Sequence, residues 1–178
     1  MIDVHVLTHS GTRQDWLEQC LASLEGQPVC VHVVEGFEGH VGKGRAKGYA
    51  LGVNPLVAYV DSDDYVLPGA FAYCEYRLRQ HRAVVTLEAV EYADGTRYPF
   101  PRSGHSLAVY RRADVTPYLP AMEQSPHSTD VQIRRLLRPV QLDYMGYVWR
   151  AHQHGDHLNV THESVLKESA AWPQMAQR

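Results

Sequence analysis

The chain has 178 residues, of which 44% are hydrophobic and 21% charged. This composition is ordinary for a soluble globular protein, and the length suits one domain with a substantial core. A formal net charge of −3 gives no global attraction to nucleic acid or anionic membranes, and no apolar run approaches the ~20 residues that span a bilayer.

Ile2-Asp3-Val4-His5-Val6-Leu7 alternates apolar and polar residues, as a half-buried strand does, and is entered without a basic and apolar leader, so no secretory signal is expected. A loop over 8–12 leads to Trp16, Leu17, Cys20, Leu21 and Leu24 at helical spacing, stopped by Gly26 and Pro28. Residues 29–34 predict a second strand, broken by Glu35-Gly36. The glycine-rich Gly42-Lys43-Gly44-Arg45-Ala46-Lys47-Gly48 reads as a loop running into a helix over 45–51. The apolar run Leu56-Val57-Ala58-Tyr59-Val60 then predicts a strand that ends in Asp61-Ser62-Asp63-Asp64. This β-α-β-α-β order implies a parallel sheet with right-handed crossovers.

Further on, Pro68 suits the first turn of a helix over 68–80. A strand over 83–91, a hairpin turn at 93–96 and a strand over 105–110 follow. Residues 128–137 read as a helix with Arg134, Arg135 and Arg138 toward its end, where cations complement the helix dipole. Residues 140–152 are strand-rich, and after Asn159 the chain becomes a polar, Ala- and Gln-rich tail. Cys20, Cys30 and Cys74 are odd in number and lack metal-ligand spacing, so free thiols in a reducing cytoplasm are expected.

The chemistry concentrates in Asp61-Ser62-Asp63-Asp64. Three carboxylates at the end of a buried strand are costly unless a cation or hydrogen-bond network neutralises them. Hard divalent ions take oxygen ligands and are shared between one or two carboxylates and substrate phosphates. The carboxyl end of a strand is also where an open α/β sheet binds ligands. Taken alone the string serves equally as an acidic turn capping the next helix. The glycine-rich segment at 42–48 could cradle phosphate, although its spacing fits neither a Walker loop nor a dinucleotide fingerprint, and alone it reads better as a solvated basic helix start.

Taken together, these segments resemble the family 2 glycosyltransferases with the GT-A fold. Val4-His5-Val6-Leu7-Thr8-His9-Ser10 matches that family's first strand and loop, and Cys20-Leu21-Ala22-Ser23-Leu24-Glu25-Gly26-Gln27 matches its helix end. Glu35 stands where the family has an aspartate, and Arg45-Ala46-Lys47-Gly48 where it has Arg-Asn-x-Gly. Tyr59-Val60-Asp61-Ser62-Asp63-Asp64 matches the metal motif, Ser128-Thr129-Asp130-Val131 the segment with the catalytic base, and Tyr147-Val148-Trp149-Arg150-Ala151-His152 the late Tyr-Arg-x-His strand.

The resemblance implies a single GT-A (Rossmann-like) α/β domain over 1–159. Its mostly parallel central sheet would be flanked by helices, with a nucleotide- and metal-binding half (1–70), a small mixed acceptor half (71–159) and a tail (160–178). It implies an inverting transfer of a sugar from a nucleotide-diphosphate donor to an acceptor hydroxyl. Thr8, Glu35, Arg45, Asp61 and Ser62 would bind the nucleotide. Asp61, Asp63 and His152 would hold Mn²⁺ or Mg²⁺, Asp64 would play a structural part, and Asp130 would be the base with Glu123 as the alternative. The donor base stays open, as does the acceptor: a glycan, a small molecule, a protein or a modified nucleobase.

Two other readings stay open. His152-Gln153-His154-Gly155-Asp156-His157 matches the His-x-His-x-Asp-His zinc string of the metallo-β-lactamase superfamily and would suit a zinc-dependent hydrolase. That fold needs ligands further downstream, where only His162 remains among the histidines. A non-catalytic nucleotide-binding module would keep the donor residues without a base.

Overall fold

Ile2, Val4 and Val6, the alternate apolar residues of the first strand, are fully buried. Around them the chain builds a single mixed sheet with helices on both faces. The computed structural model describes residues 1–100 and 106–151. The strands are β1 (Ile2–Thr8), β2 (Val29–Glu35), β3 (Leu56–Asp61), β4 (Tyr65–Val66), β5 (Ala83–Glu91), β6 (Arg97–Phe100), β7 (Ala108–Arg111) and β8 (Val140–Arg150). The helices are α1 (Gln14–Leu24), α2 (Val41–Ala50), α3 (Ala70–Arg77), α4 (Arg112–Val115), α5 (Leu119–Glu123) and α6 (Thr129–Leu137), with a 3₁₀ turn at Thr116–Tyr118.

The strand order is β2-β1-β3-β7-β5-β8-β4, with β6 paired to β5. The α/β class and the parallel β2-β1-β3 unit are as expected. The second half departs from a mostly parallel sheet: β7 runs antiparallel to both β3 and β5, β6 to β5, and β4 to β8, while β8 lies parallel to β5. A sequence that reads strand, turn, strand can form a hairpin or an inserted antiparallel strand, and only long-range pairing decides which.

One core lies under α1 and α3, where Cys20, Leu24, Phe71 and Cys74 pack on Ile2, Val4 and Val6. The other lies under α2, α5 and α6, with Tyr49, Met122 and Ile133 on Val57, Tyr59, Val85 and Tyr110. Burial of this scale stabilises at about 25 cal/mol per Å² of apolar surface. Among the described residues no helix is long and apolar enough to cross a membrane.

Helix α2 begins earlier than the sequence suggests and absorbs the glycine-rich segment. These glycines allow close approach. A Cβ on Gly42 would stand 2.0 Å from the Ser125 carbonyl oxygen and 2.1 Å from that of Met122, and one on Gly48 would enter the His5 ring at 2.4 Å. Two of the helix's N-terminal amides are also taken: Val41 N–H donates to the Pro126 carbonyl (3.0 Å) and Lys43 N–H to His40 Nδ1 (3.4 Å). The phosphate-cradle and solvated-helix-start readings of 42–48 are therefore both corrected: the segment is a packed helix against β1 and α5.

Candidate active site

Register places the expected donor residues together. Thr8 is paired with Glu35 and Leu7 with Asp61, so Glu35, Thr8 and Asp61 stand at the carboxyl ends of three adjacent parallel strands. That end is where ligands bind in open α/β sheets. Thr8 Oγ1 donates to the Val34 carbonyl (3.3 Å), and Glu35 is exposed.

The acidic turn closes with Asp64 N–H donating to the Asp61 carbonyl (3.0 Å). Its carboxylates occupy different environments. Asp64 is buried, accepting from Tyr147 Oη (2.8 Å) and from Arg150 N–H (2.9 Å). Burial, reinforced by Asp63 and Asp61, pushes its carboxyl well above the ordinary range. Asp61 and Asp63 are half-buried and reach solvent. Ser62 is buried between them, 4% exposed.

Arg45 departs furthest from expectation. On the resemblance it faces the base or diphosphate, but its side chain is only 2% exposed, tucked beneath the turn. Its Nη2 donates to Asp61, its Nε lies 3.4 Å from Asp130 on α6, and its guanidinium stacks 3.8 Å over the Tyr59 ring. Arg45 thus joins the donor-side carboxylate to the expected base. Helix α6 delivers Asp130 in its first turn after Ser128, which enters the left-handed region at φ 53°. Glu123 is exposed at the end of α5.

Strand β8 secures the turn from the other side. Arg150 Nη1 donates to the Asp63 carbonyl (2.6 Å), its Nη2 to Gln19 and its Nε to Glu91 (3.4 Å), while Tyr147 Oη also receives Asp61 N–H (3.2 Å). The sequence puts Tyr147 and Arg150 on the late strand and gives neither a role. The signal was there: a polar, bonding residue at 147 and at 150 on a strand otherwise apolar from 145 to 149. His152, and with it the whole zinc string at 152–157, lies outside the described residues.

A second cluster, Asp3, Cys30 and His32, brings its ligand atoms within 4.8 Å of one another. It sits at the other ends of β1 and β2, and Asp3 has no oxygen to spare. Oδ1 meets His32 Nε2 (3.0 Å) and Asn54 Nδ2 (2.9 Å), and Oδ2 accepts from Asn54 N–H (2.7 Å) and Arg112 Nη2 (2.6 Å). Burial works to raise the Asp3 pKa, but these donors and the Arg112 charge outweigh it and hold the group at about 2. The cluster is a structural clip. A cavity of about 330 Å³ lined by Arg82, Asp114, Tyr118 and Leu137 likewise lies at the amino-terminal end of β5, away from the acidic turn.

A mixed sheet of this order, with a carboxylate turn at its strand ends, has the architecture expected of the GT-A fold that the sequence resembles. Among solved structures the chain is similar to S. aureus TarS (TM-score 0.64, 17% identity, covering 84% of this chain and 36% of that one). It is also similar to TarS 1–349 in complex with UDP-GlcNAc (TM-score 0.65, 17% identity, 94% of this chain and 64% of that one). TarS 1–349 in complex with UDP matches at TM-score 0.61 and 16% identity, over 98% of this chain and 69% of that one. The chain thus spans about a third of TarS and about two thirds of its 1–349 fragment. No family model and no curated protein matches the chain.

Proposed function

We propose that this chain is a metal-dependent, inverting glycosyltransferase that moves a sugar from a nucleotide-diphosphate donor to an acceptor hydroxyl. One observation carries the reading: Asp61 at the end of β3 and Asp130 on α6 meet on a single buried arginine. The residues expected on donor and acceptor sides of a transfer are thereby held in one constellation. The halves 1–70 and 71–159 then divide the work, donor to the first and acceptor to the second. The three described thiols are free, in keeping with a cytoplasmic setting.

Thr8 and Glu35 flank the nucleoside at the strand ends. Arg45 positions Asp61 and Asp130 from below. The oxygen donors of Asp61 and Asp63 suit Mn²⁺ or Mg²⁺, which when bound supplies Lewis-acid stabilisation of the leaving diphosphate. His152 would complete that set. Asp130 accepts the proton of the acceptor hydroxyl as its oxygen bonds to the anomeric carbon. The bond from that carbon to the diphosphate breaks on the opposite face, and the nucleoside diphosphate departs with the electron pair. General-base assistance of this kind contributes ~10²–10⁴-fold.

The UDP and UDP-GlcNAc complexes of TarS make UDP-sugars the first donors to test. The test is a thermal-shift panel of UDP, GDP, CDP and dTDP, with and without Mn²⁺, on wild type and Asp63→Ala. Stabilisation by one nucleotide that needs both Mn²⁺ and Asp63 supports the reading and names the base. Absence of any nucleotide shift refutes it. Binding without sugar transfer, across donors of the base so named, would leave a nucleotide-binding module.

A further inference from the structure

Arginines gather at the end of the sheet opposite the acidic turn. Strand β3 begins at this end, where Leu56 pairs with Arg111 of β7, and delivers Asp61 at the other. Ala83 pairs with Tyr110, and Val84 with both Val109 and Val140, so the end of β7 and the starts of β5 and β8 lie side by side. Arg111 closes β7, Arg82 precedes β5 and Arg138 lies just before β8. Arg77 and Arg79 join them from the end of α3, and Arg111 Nη2 ties the two groups by donating to the Leu78 carbonyl (2.8 Å).

Little negative charge answers them. Arg82 pairs with Asp114, whereas Arg77, Arg79, Arg111 and Arg138 have no carboxylate partner among the described residues. Arg77 reaches Tyr73 Oη (3.0 Å) and His81 Nε2 (3.3 Å), and the nearby Glu75 is taken by the Met1 amino group. Arg79, Arg82, Arg111 and Arg138 are exposed, on a chain whose formal net charge is −3. Tyr76, 55% exposed, and Val140, 42% exposed, stand among them. Arg79 lies 5.8 Å over the Tyr76 ring.

Cations without partners repel one another, so this gathering does not stabilise the fold and points to an anion outside it. Spread over one helix end and three strand ends, the arginines make a face. A single-stranded polyanion would instead call for a basic groove lined with several stacking rings, and Tyr76 is the one exposed ring at this end among the described residues. Anionic headgroups match the charge of such a face, while arginine stems and a tyrosine ring enter the headgroup boundary.

We propose that this end of the sheet docks on a bilayer that contains anionic phospholipid, through Arg79, Arg82, Arg111 and Arg138 with Tyr76 and Val140 at the headgroup boundary. The face acts whether or not the acidic turn transfers sugar, and docking turns the candidate active site away from the bilayer.

The test is flotation of the full chain with vesicles of phosphatidylcholine alone and of phosphatidylcholine with about one third phosphatidylglycerol, at about 0.05 and about 0.5 M salt. Variants are Arg79→Gln, Arg138→Gln and the two combined, with Lys43→Gln, which removes an exposed charge from the first turn of α2, as the control. Wild type is expected to float with the phosphatidylglycerol vesicles at low salt only. Each arginine substitution should weaken binding about fivefold, the worth of one cation near an anionic surface, and Lys43→Gln should change nothing. Melting temperatures of the single variants should match wild type, which separates lost docking from lost folding. Absence of flotation with phosphatidylglycerol, equal flotation with phosphatidylcholine alone, or wild-type flotation of the double variant overturns the proposal. Retention on immobilised heparin without vesicle binding would assign the face to a soluble polyanion and overturn it too.

Discussion

Replacing Arg45 by Met tests the constellation most directly. The guanidinium neutralises Asp61 and Asp130 together from a side chain only 2% exposed, and it covers the Tyr59 ring. Methionine fills similar volume and removes the charge shared by two carboxylates, 28% and 29% exposed, leaving Asp130 with Arg134 nearby and Asp61 without Arg45. Breaking a buried ion pair from one side costs ~3–5 kcal/mol. For a domain of this size that lowers Tm by roughly 6–20 °C, at about 2–4 °C per kcal/mol. Urea unfolding followed by circular dichroism reads the loss as a lower midpoint at unchanged slope. Adding Asp130→Asn to Arg45→Met should restore part of it, with a coupling of about 1–3 kcal/mol. Arg45→Lys should rescue little, because one ammonium cannot bridge two carboxylates as a planar fork does. A loss below about 1 kcal/mol, or strict additivity of the two substitutions, would refute the clamp. Weakened nucleotide binding at full stability would instead restore the direct ligand role that the sequence suggests.

Gly42→Ala should cost about 3 kcal/mol or more, because its Cβ would meet two backbone carbonyls; a normal Tm with lost nucleotide binding would revive the phosphate cradle. Asp64→Asn can keep an acceptor for Arg150 N–H and donate to Tyr147 Oη, so its unfolding free energy should stay within about 1 kcal/mol of wild type. Asp64→Ala strands both partners and should cost about 2–4 kcal/mol in the same denaturant titration. Acid titration reads the Asp3 clip. Its folded pKa of about 2 lies below the ordinary 3.8, so it contributes roughly 2 kcal/mol above pH 4. That contribution is lost as pH falls from 4 toward 2, and the stability gap between wild type and Asp3→Asn should narrow by that amount over this window. A gap unchanged at pH 2 would show that the clip owes nothing to the Asp3 charge.

Local pattern made the frame legible. The strand expected over 83–91 is β5 at its full length, and the helix expected over 128–137 is α6 with one residue fewer. Periodicity and punctuation suffice where a segment's own residues determine which face is buried. They fail where a distant neighbour decides. Glycines at 42, 44 and 48 lower helix propensity by up to about 1 kcal/mol each, which argues for a loop until His5, Leu7 and the 122–125 backbone are known to press against them. Arg45 reads as a nucleotide ligand because neither Asp61 nor Asp130 is near it in sequence. The acidic turn is the sharpest case. Asp61, Asp63 and Asp64 have the same side chain, yet Arg45 takes one, Arg150 grips the backbone of the second, and Tyr147 buries the third. Like charges this close stay tolerable because three separate elements hold them in three environments. The division of labour among the aspartates is therefore a property of α2 and β8 as much as of the turn itself.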